Sequence, residues 1–313
     1  MKNKIINGFN DKLSTLRHYI KLFFFKSPMS ENLSLLYLFY DLKAKIIFKF
    51  KKFELFKTKT KETKEFKKYG FTVFTNRIIR KECNSILKKI KSLDDPWDST
   101  NKFKDSASEI FKTQLISIFK NGIDEFIKSV FDSDYYIFYH SLYKSERLTK
   151  EKSPQGSQLW HADGGPGNCI NLMICHSHID ESNGSMKIIE WEESKNLLVK
   201  LHYDYKNLVR NTLSINDFKN NRIFSREIKC SLLKKYIEEK SIKYFQPESK
   251  NSGAIFAFRN NCVHAGGFTE FGSERIVSIM HIYPSINRSS LDEKFNKLHL
   301  KTKPYPLFQD LPK

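Results

Sequence analysis

Apolar, aromatic and β-branched residues recur in several short runs between Tyr135 and Ser285, and polar turn segments such as DGGPGN and DESNG separate these runs. Runs of this length and composition, bounded by turn residues, are typical of β-strands. The runs are YYIFYHSLYK, SQLWHAD, CINLMICHSHI, MKIIEW, GAIFAFRN, CVHAGG and RIVSIMHIYPS. Short strands joined by glycine-rich turns predict a β-sandwich or a β-barrel.

Helical periodicity precedes this β region and interrupts it once. The segment YGFTVFTN predicts a short strand that leads into the helix RIIRKECNSILKKIKSL, where Ile and Leu recur at steps of three and four. A further amphipathic helix is predicted from about Ala107 to Phe131. Residues from about 194 to 243 are rich in Lys, Leu and Tyr at helical spacing, which predicts a helical insert between strands. The expected fold class is therefore mainly β with helices, or α+β.

The N-terminal fifth of the chain is strongly basic. Residues 1–68 carry 17 Lys or Arg against 6 Asp or Glu, so they supply +11 of the net charge of +19. Their apolar patches alternate with lysines at helical spacing, which predicts a basic helical extension in front of a domain at 69–313. Such asymmetry indicates an anionic partner, although a lysine-rich composition along the whole chain is the alternative explanation. No specific nucleic-acid-binding motif accompanies the charge.

Cysteine usage and hydropathy indicate the compartment. The five cysteines are odd in number and form no CxxC pair, which argues against a zinc ribbon and a disulfide scaffold and favours a reducing compartment. The longest apolar stretch, LSLLYLFY, is far shorter than the roughly 20 residues that span a bilayer. We therefore expect a cytoplasmic protein, and the basic, partly apolar N-terminus leaves peripheral contact with an anionic membrane open.

Candidate metal ligands occur at two places in the β region. His161 and Asp163 lie two residues apart in WHADGG, and His264 follows a predicted strand in CVHAGG. The HxD pair alone also suits a turn with an Asp cap. Together, two imidazoles and one carboxylate hold a divalent ion on one face and leave the other face open, which points to non-haem Fe(II). Arg275 begins the next predicted strand, 11 residues after His264.

The ordered segments WHADGG, NGSMKII, GAIFAF, VHAGG and ERIVSIMHIYPS resemble the phytanoyl-CoA-dioxygenase-like branch of the Fe(II)/2-oxoglutarate-dependent oxygenases. The resemblance implies a double-stranded β-helix, or jelly-roll, core. It also implies that His161, Asp163 and His264 are the iron ligands and that Arg275 binds the distal carboxylate of 2-oxoglutarate. Arginine suits that role because its planar fork donates two parallel hydrogen bonds to a carboxylate.

Further pocket residues follow from strand alternation and from the resemblance. Asn171 and Met173 share one face of their strand, and the resemblance implies that this face lines the co-substrate pocket. Tyr139 and Tyr143, on the preceding strand, are expected to reach the same pocket. The chain departs from the family pattern at IIEWEES, where many members carry a PGSH-like element.

The implied activity is the conversion of 2-oxoglutarate and O2 to succinate and CO2, coupled to hydroxylation of a small-molecule or carrier-tethered substrate. Asp163 disfavours halogenation, because related halogenases carry a small residue in its place; desaturation and ring closure stay open. The alternative is a non-catalytic jelly-roll that binds an anionic partner, an acidic carrier protein or a membrane surface through its basic N-terminus. A zinc hydrolase on a similar scaffold would have no need of Arg275.

Overall fold

The computed structural model of the chain describes residues 60–147, 154, 156–162, 169–194, 196–197, 226–249, 252–260, 262–285 and 288–296. The helices predicted before residue 60, most of the predicted insert and Asp163 lie outside the described residues. No helix within the described part of the chain is long and apolar enough to cross a bilayer.

Strands form in every predicted run except SQLWHAD. They are β1 (Phe71–Phe74), β2 (Asp134–Glu146), β3 (Ile170–Cys175), β4 (Lys187–Ile188), β5 (Ala254–Arg259), β6 (His264–Ala265) and β7 (Glu274–Ser285). The α-helices are α1 (Lys61–Tyr69), α2 (Arg77–Lys91), α3 (Ala107–Ile110), α4 (Lys112–Ile118), α5 (Asp124–Phe131), α6 (Arg226–Glu239) and α7 (Leu291–Asn296). The SQLWHAD run contributes an isolated bridge at His161.

Two antiparallel sheets face each other. The large sheet has the strand order β1-β5-β3-β7-β2, and the small sheet pairs β4 with β6. Isolated bridges from His161 to His264 and from Ile188 to Phe245 widen the small sheet on both sides. The ring of Phe258 in β5 lies 5.0 Å from that of His264 in β6, so the small sheet covers one face of the large one. This arrangement confirms the predicted α+β class with a jelly-roll core.

The other face of the large sheet packs against helices. Alternate residues of β3, Leu172 and Ile174, join the same buried cluster as residues of α2, α4 and α5. In α2 the cluster members recur at steps of four, three and four residues, so one stripe of the helix faces the sheet. These members are Ile79, Cys83, Ile86 and Ile90. The helix begins at a side-chain cap, because the Asn76 Oδ1 accepts a hydrogen bond from the Ile79 N–H at 2.8 Å. The predicted strand-helix pair is thus confirmed as β1 and α2.

The single helix predicted from Ala107 to Phe131 is wrong in its continuity. The segment forms α3, α4 and α5, and a π-helical turn separates α4 from α5. Asn121 (φ −96°, ψ 46°) and Gly122 (φ 109°, ψ −19°) leave helical geometry within that turn. A positive φ is accessible to glycine without a Cβ clash. Hydrophobic periodicity reports which face is buried, and it continues across a kink that keeps the same face on the sheet.

Candidate active site

His161 and His264 lie side by side where the isolated bridge at His161 extends the small sheet beyond β6. Each backbone N–H donates to the carbonyl of the other residue at 2.8 Å, so the two residues form a closed antiparallel pair. Their ring centroids are 4.3 Å apart, and both side chains are buried. Because directly opposite residues of an antiparallel pair project to the same side, the two imidazoles converge without any rearrangement of the backbone.

Each imidazole is oriented by a backbone carbonyl. The Nδ1 of His161 lies 2.6 Å from the Leu159 carbonyl oxygen, and the Nδ1 of His264 lies 2.8 Å from the Cys262 carbonyl oxygen. A carbonyl oxygen only accepts, so Nδ1 carries a proton in both rings, and Nε2 is the nitrogen that could bind a metal. Metal-bound histidines in proteins show this kind of support at the other ring nitrogen. The two residues therefore fit a divalent metal.

The third predicted ligand, Asp163, lies outside the described residues. Among the residues that are described, no cluster of three His, Cys, Asp or Glu side chains could hold a metal. The described half of the site is thus the pair of histidines. Asp163 is separated from His161 by Ala162 alone, and its role as a ligand stays a prediction.

Arg275 is a buried cation with unused hydrogen-bonding capacity. Its side chain is 3% exposed, and its Nη2 donates to the Gly266 carbonyl oxygen at 2.9 Å. Its Nε and Nη1 are buried and have no hydrogen-bond partner among the described residues. An unsatisfied donor on a buried charged group costs more than the roughly 1–3 kcal/mol of a neutral one. The guanidinium therefore fits an anionic group, and Gly266 places it two residues from His264.

The charge of Arg275 reaches two neighbouring side chains. Burial raises the pKa of the Tyr143 phenol, and the Arg275 guanidinium opposes this rise. Burial also raises the pKa of the Cys175 thiol to about 12, again against the effect of Arg275. Both groups are therefore neutral at physiological pH, and Arg275 has no negative partner in either of them.

Asn171, Met173 and Tyr139 share the face of the large sheet that looks toward the histidines. Asn171 lies opposite Phe258 on one side and His281 on the other, and His281 in turn lies opposite Tyr139. Phe258 is the residue that contacts His264, so this row crosses the sheet at the level of the histidines. Met173 lies one row closer to Arg275 and is buried at 4% exposure.

Two further residues of this face lie near the site, and one of them, His281, was not predicted as a site residue. His281 makes a T-shaped contact with Tyr139 at 5.3 Å between ring centroids, in the row that reaches Phe258. Tyr143 lies within electrostatic reach of Arg275. Residue parity could have found His281, because it lies six residues from Arg275 and an even separation on a strand keeps the same face. By the same rule Ser278 points to the helices, where its Oγ lies 2.8 Å from the His176 Nε2.

The two glycines after His264 allow close backbone contacts around the site. Gly266 donates its N–H to the Ser157 carbonyl oxygen at 2.8 Å, and a Cβ at Gly266 would lie 2.8 Å from that oxygen. Gly267 has a φ of +58°, and a Cβ there would overlap the carbonyl oxygens of Gly184 and Ser185. The HAGG segment can therefore pass between two backbone segments only because both residues lack a side chain.

Gly267→Ala is expected to lower the free energy of unfolding by about 3 kcal/mol, because a left-handed backbone and an overlap act together. Urea denaturation measures the change. Gly272→Ala is the matched control: Gly272 has a φ of +82°, and a Cβ added there would meet nothing within 4 Å, so only about 1 kcal/mol should be lost. Equal losses in the two variants would contradict the close approach at Gly267.

Comparison with known proteins gives structural likeness only. No protein-family model matches the sequence, and no curated protein matches it. The structure is similar to SnoN, a non-heme alpha-ketoglutarate-dependent epimerase from nogalamycin biosynthesis, at 12% identity over 72% of this chain and 82% of that chain, with a TM-score of 0.45.

Two other crystal structures show likenesses of the same order. One is EctD from S. alaskensis with 2-oxoglutarate and 5-hydroxyectoine, at 12% identity over 74% of this chain and 78% of that chain, with a TM-score of 0.45. The other is HygX from Streptomyces hygroscopicus with nickel and 2-oxoglutarate, at 11% identity over 72% of this chain and 88% of that chain, with a TM-score of 0.41. These similarities concern the backbone fold over part of each chain. The proposed role of the site therefore rests on the side chains of this protein.

Proposed function

We propose that this protein is an Fe(II)- and 2-oxoglutarate-dependent oxygenase that acts on a small-molecule substrate. His161 and His264, with Asp163 as the third ligand, would hold Fe(II). Arg275 would bind the distal carboxylate of 2-oxoglutarate. The observation that carries the proposal is the buried Arg275 guanidinium. Its Nε and Nη1 have no hydrogen-bond partner among the described residues, and its Nη2 donates to Gly266, two residues beyond His264.

The spacing suits a five-carbon dicarboxylate. Two residues of extended chain span about 7 Å, which is comparable to the distance between the two ends of 2-oxoglutarate. The strand positions between Arg275 and the level of the histidines are mainly apolar. They are Met173 and Cys175 in β3 and Val277 and Ile279 in β7. Apolar walls exclude water and strengthen an ion pair between the guanidinium and a carboxylate.

Bound Fe(II) would supply the activation of O2 that is coupled to decarboxylation of 2-oxoglutarate. The residues of the chain would bind and orient the reactants. Carbonyl contacts at Nδ1 hold both imidazoles with Nε2 directed to the metal, and Arg275 sets the direction of the co-substrate. Tyr139, Ile279 and His281 are half-exposed on the site face, so we propose that the substrate approaches over β2 and β7.

Four finer proposals rest on the sequence: the type of reaction, the branch of the family, the compartment and the class of substrate. Hydroxylation is the proposed outcome, since Asp163 occupies the position where related halogenases carry a small residue. We assign the chain to the phytanoyl-CoA-dioxygenase-like type on the segments that resemble it, and we place it in the cytoplasm. The substrate is a small molecule or a carrier-tethered group, and the net charge of +19 would favour an anionic carrier through electrostatic steering.

Anaerobic titration of the metal-free protein with Fe(II) and 2-oxoglutarate tests the proposal. The wild type should develop the weak visible charge-transfer band of the iron chelate. His264→Ala should show no band at concentrations that saturate the wild type, because one of the ligands is gone. His178→Ala is the control: the His178 side chain is 54% exposed and lies 3.8 Å from the Asp180 carboxylate, so the band should be retained.

Absence of the band from the wild type, or its survival in His264→Ala, would show that the oxygenase assignment is wrong. The non-catalytic alternative predicts the first of these results. It also predicts that no succinate forms when O2 is admitted.

A further inference from the structure

A compact hydrophobic cluster lies behind the small sheet, on the side away from the candidate active site. We call it the backing cluster. Its buried members are Ile189, Leu197, Leu233, Ile237 and Val263, and its half-buried members are Trp160, Ala162, Tyr236 and Ile242. Leu233 and Ile237 come from α6 and lie four residues apart, so one stripe of this helix covers the back of the sheet.

The backing cluster contains the sequence neighbours of both histidines. Trp160 and Ala162 flank His161, and Val263 precedes His264. Successive side chains of extended chain point to opposite faces, so packing these neighbours on α6 turns the two imidazoles toward the large sheet. The contact between His264 and Phe258 shows the same orientation from the other side.

Ser194 ties this region together through its hydroxyl. The Val263 N–H donates to the Ser194 Oγ at 3.0 Å, and the Ser194 hydroxyl donates to the Ile189 carbonyl oxygen at 2.9 Å. The Ile189 N–H donates to the Val263 carbonyl oxygen at 2.9 Å, and Ser194 is fully buried. The Ser194 hydroxyl therefore satisfies two buried backbone groups, the Val263 N–H and the Ile189 carbonyl. Val263 is the residue that precedes His264.

We infer that Ser194 is a positioning residue for the metal site and that it acts on His264 through Val263. The inference rests on the proposed function for its consequence in metal binding. It also assigns a role to IIEWEES, the segment in which the chain departs from the family pattern. Ser194, the last residue of this segment, holds the backbone before His264 in place from the side away from the active site. Ser194 lies 70 residues before His264 in the chain, so only the fold brings its hydroxyl to the site.

Ser194→Ala is the test, with Ser108→Ala as the matched control. Ser108 is also a buried serine, and its Oγ lies 2.7 Å from the His140 Nδ1 on the helix side of the large sheet. Both variants remove a buried hydroxyl with hydrogen-bond partners. Amide hydrogen exchange at His161 and His264 reports local opening without any metal. Fe(II) titration in the presence of 2-oxoglutarate then reports the metal site.

Ser194→Ala should speed exchange of the His161 and His264 amides at least tenfold and weaken Fe(II) binding about tenfold. Ser108→Ala should leave both quantities within twofold of the wild type. Should Ser194→Ala fail to fold, Ser194→Cys replaces it, because cysteine keeps a weak donor and acceptor and should shift both readouts in the same direction by less.

Unchanged exchange at the two histidine amides in the Ser194 variant would overturn the inference. So would an equal change in the Ser108 variant, since that would indicate a general loss of stability. Faster exchange in Ser194→Ala together with no iron binding by the wild type would support the positioning role of Ser194 and refute the oxygenase assignment. The two failures are therefore distinguishable.

Discussion

Arg275→Met is expected to weaken 2-oxoglutarate binding by about 100-fold or more. Removing one partner of a buried, hydrogen-bonded charge pair costs about 2–5 kcal/mol, and each 1.4 kcal/mol is about tenfold in affinity. Arg275 is buried, with Nε and Nη1 unsatisfied by the described residues, so a distal carboxylate would be its main partner. Titration of the chelate band of the iron protein measures the change.

The loss should concern the distal carboxylate alone. 2-Oxobutyrate keeps the keto group and the 1-carboxylate and lacks the distal carboxylate, so the wild type should prefer 2-oxoglutarate strongly and Arg275→Met should bind the two acids almost equally. Arg259→Met is the control. Arg259 is a half-buried arginine whose buried Nε has no hydrogen-bond partner among the described residues. The ring centres of Phe66 and Trp191 lie 5.3 Å and 5.6 Å from its guanidinium carbon. It should lose stability and keep the preference.

A preference for 2-oxoglutarate that survives in Arg275→Met would contradict the role of this residue as the carboxylate partner. Loss of the preference in Arg259→Met as well would also contradict it. The ratio of the two affinities is the decisive quantity, because a disturbed iron site would weaken both acids together.

Strand positions were predictable from short β-prone runs between turn residues, and strand faces from the two-residue period of a β-strand. Parity alone placed Asn171 and Met173 on one face, and the register confirms that they share it, opposite His281 and Ile279. The same parity argument places Arg275 and His281 on one face of β7, because they lie six residues apart on that strand. An antiparallel sheet keeps directly opposite residues of neighbouring strands on the same face. Run boundaries and parity therefore predicted the strands and their faces without any knowledge of which strands pair, although β3 is buried at every position and β5 at all but its last.

The chemistry of the site was less accessible from sequence. The motifs nominated His161 and His264, but the tautomer of each ring depends on carbonyl groups that the local backbone brings within 2.8 Å. The lack of a partner for Nε and Nη1 of Arg275 among the described residues likewise depends on how the fold surrounds that side chain. Both facts require distances in three dimensions, and no pattern of residue types encodes them.

Contacts between distant segments were not predictable either. The hydroxyl of Ser194 meets the backbone of Val263, 69 residues later in the chain. A serine in a polar stretch such as EWEESK carries no signal that it is fully buried. The break at Asn121 and Gly122 was missed for a related reason, because the apolar positions continue through it.

Two histidines in the helix-facing core should make the protein sensitive to acid. Burial lowers the pKa of His140 to about 4, and burial together with the nearby His140 lowers the pKa of His176 to about 3, both from an ordinary 6.5. Each ring has one nitrogen within 2.8 Å of a serine hydroxyl, on Ser108 and Ser278 respectively. The remaining nitrogens, Nε2 of His140 and Nδ1 of His176, have no hydrogen-bond partner among the described residues. Both rings are therefore neutral in the folded protein.

Lowering the pH from 7.5 to 5 is expected to reduce the free energy of unfolding by about 4 kcal/mol through these two groups. Below pH 6.5 the unfolded chain binds protons at both histidines, whereas the folded protein binds them only near pH 4 and pH 3. Their stabilisation is thus complete above pH 6.5 and declines as the pH falls. Urea unfolding at the two pH values measures the difference.

The double variant His140→Leu with Ser108→Ala separates one histidine from the remaining titratable groups. Leucine suits the surrounding apolar cluster, and alanine removes the hydroxyl that would lose its partner. The stability difference between pH 7.5 and 5 should shrink by about 2 kcal/mol in this variant, since one of the two buried imidazoles no longer binds a proton on unfolding. If the stability difference between pH 7.5 and 5 in this variant equals that of the wild type, His140 binds a proton in the folded protein as readily as in the unfolded chain. The assignment of His140 to a closed, dry core between the large sheet and its helices would then be wrong.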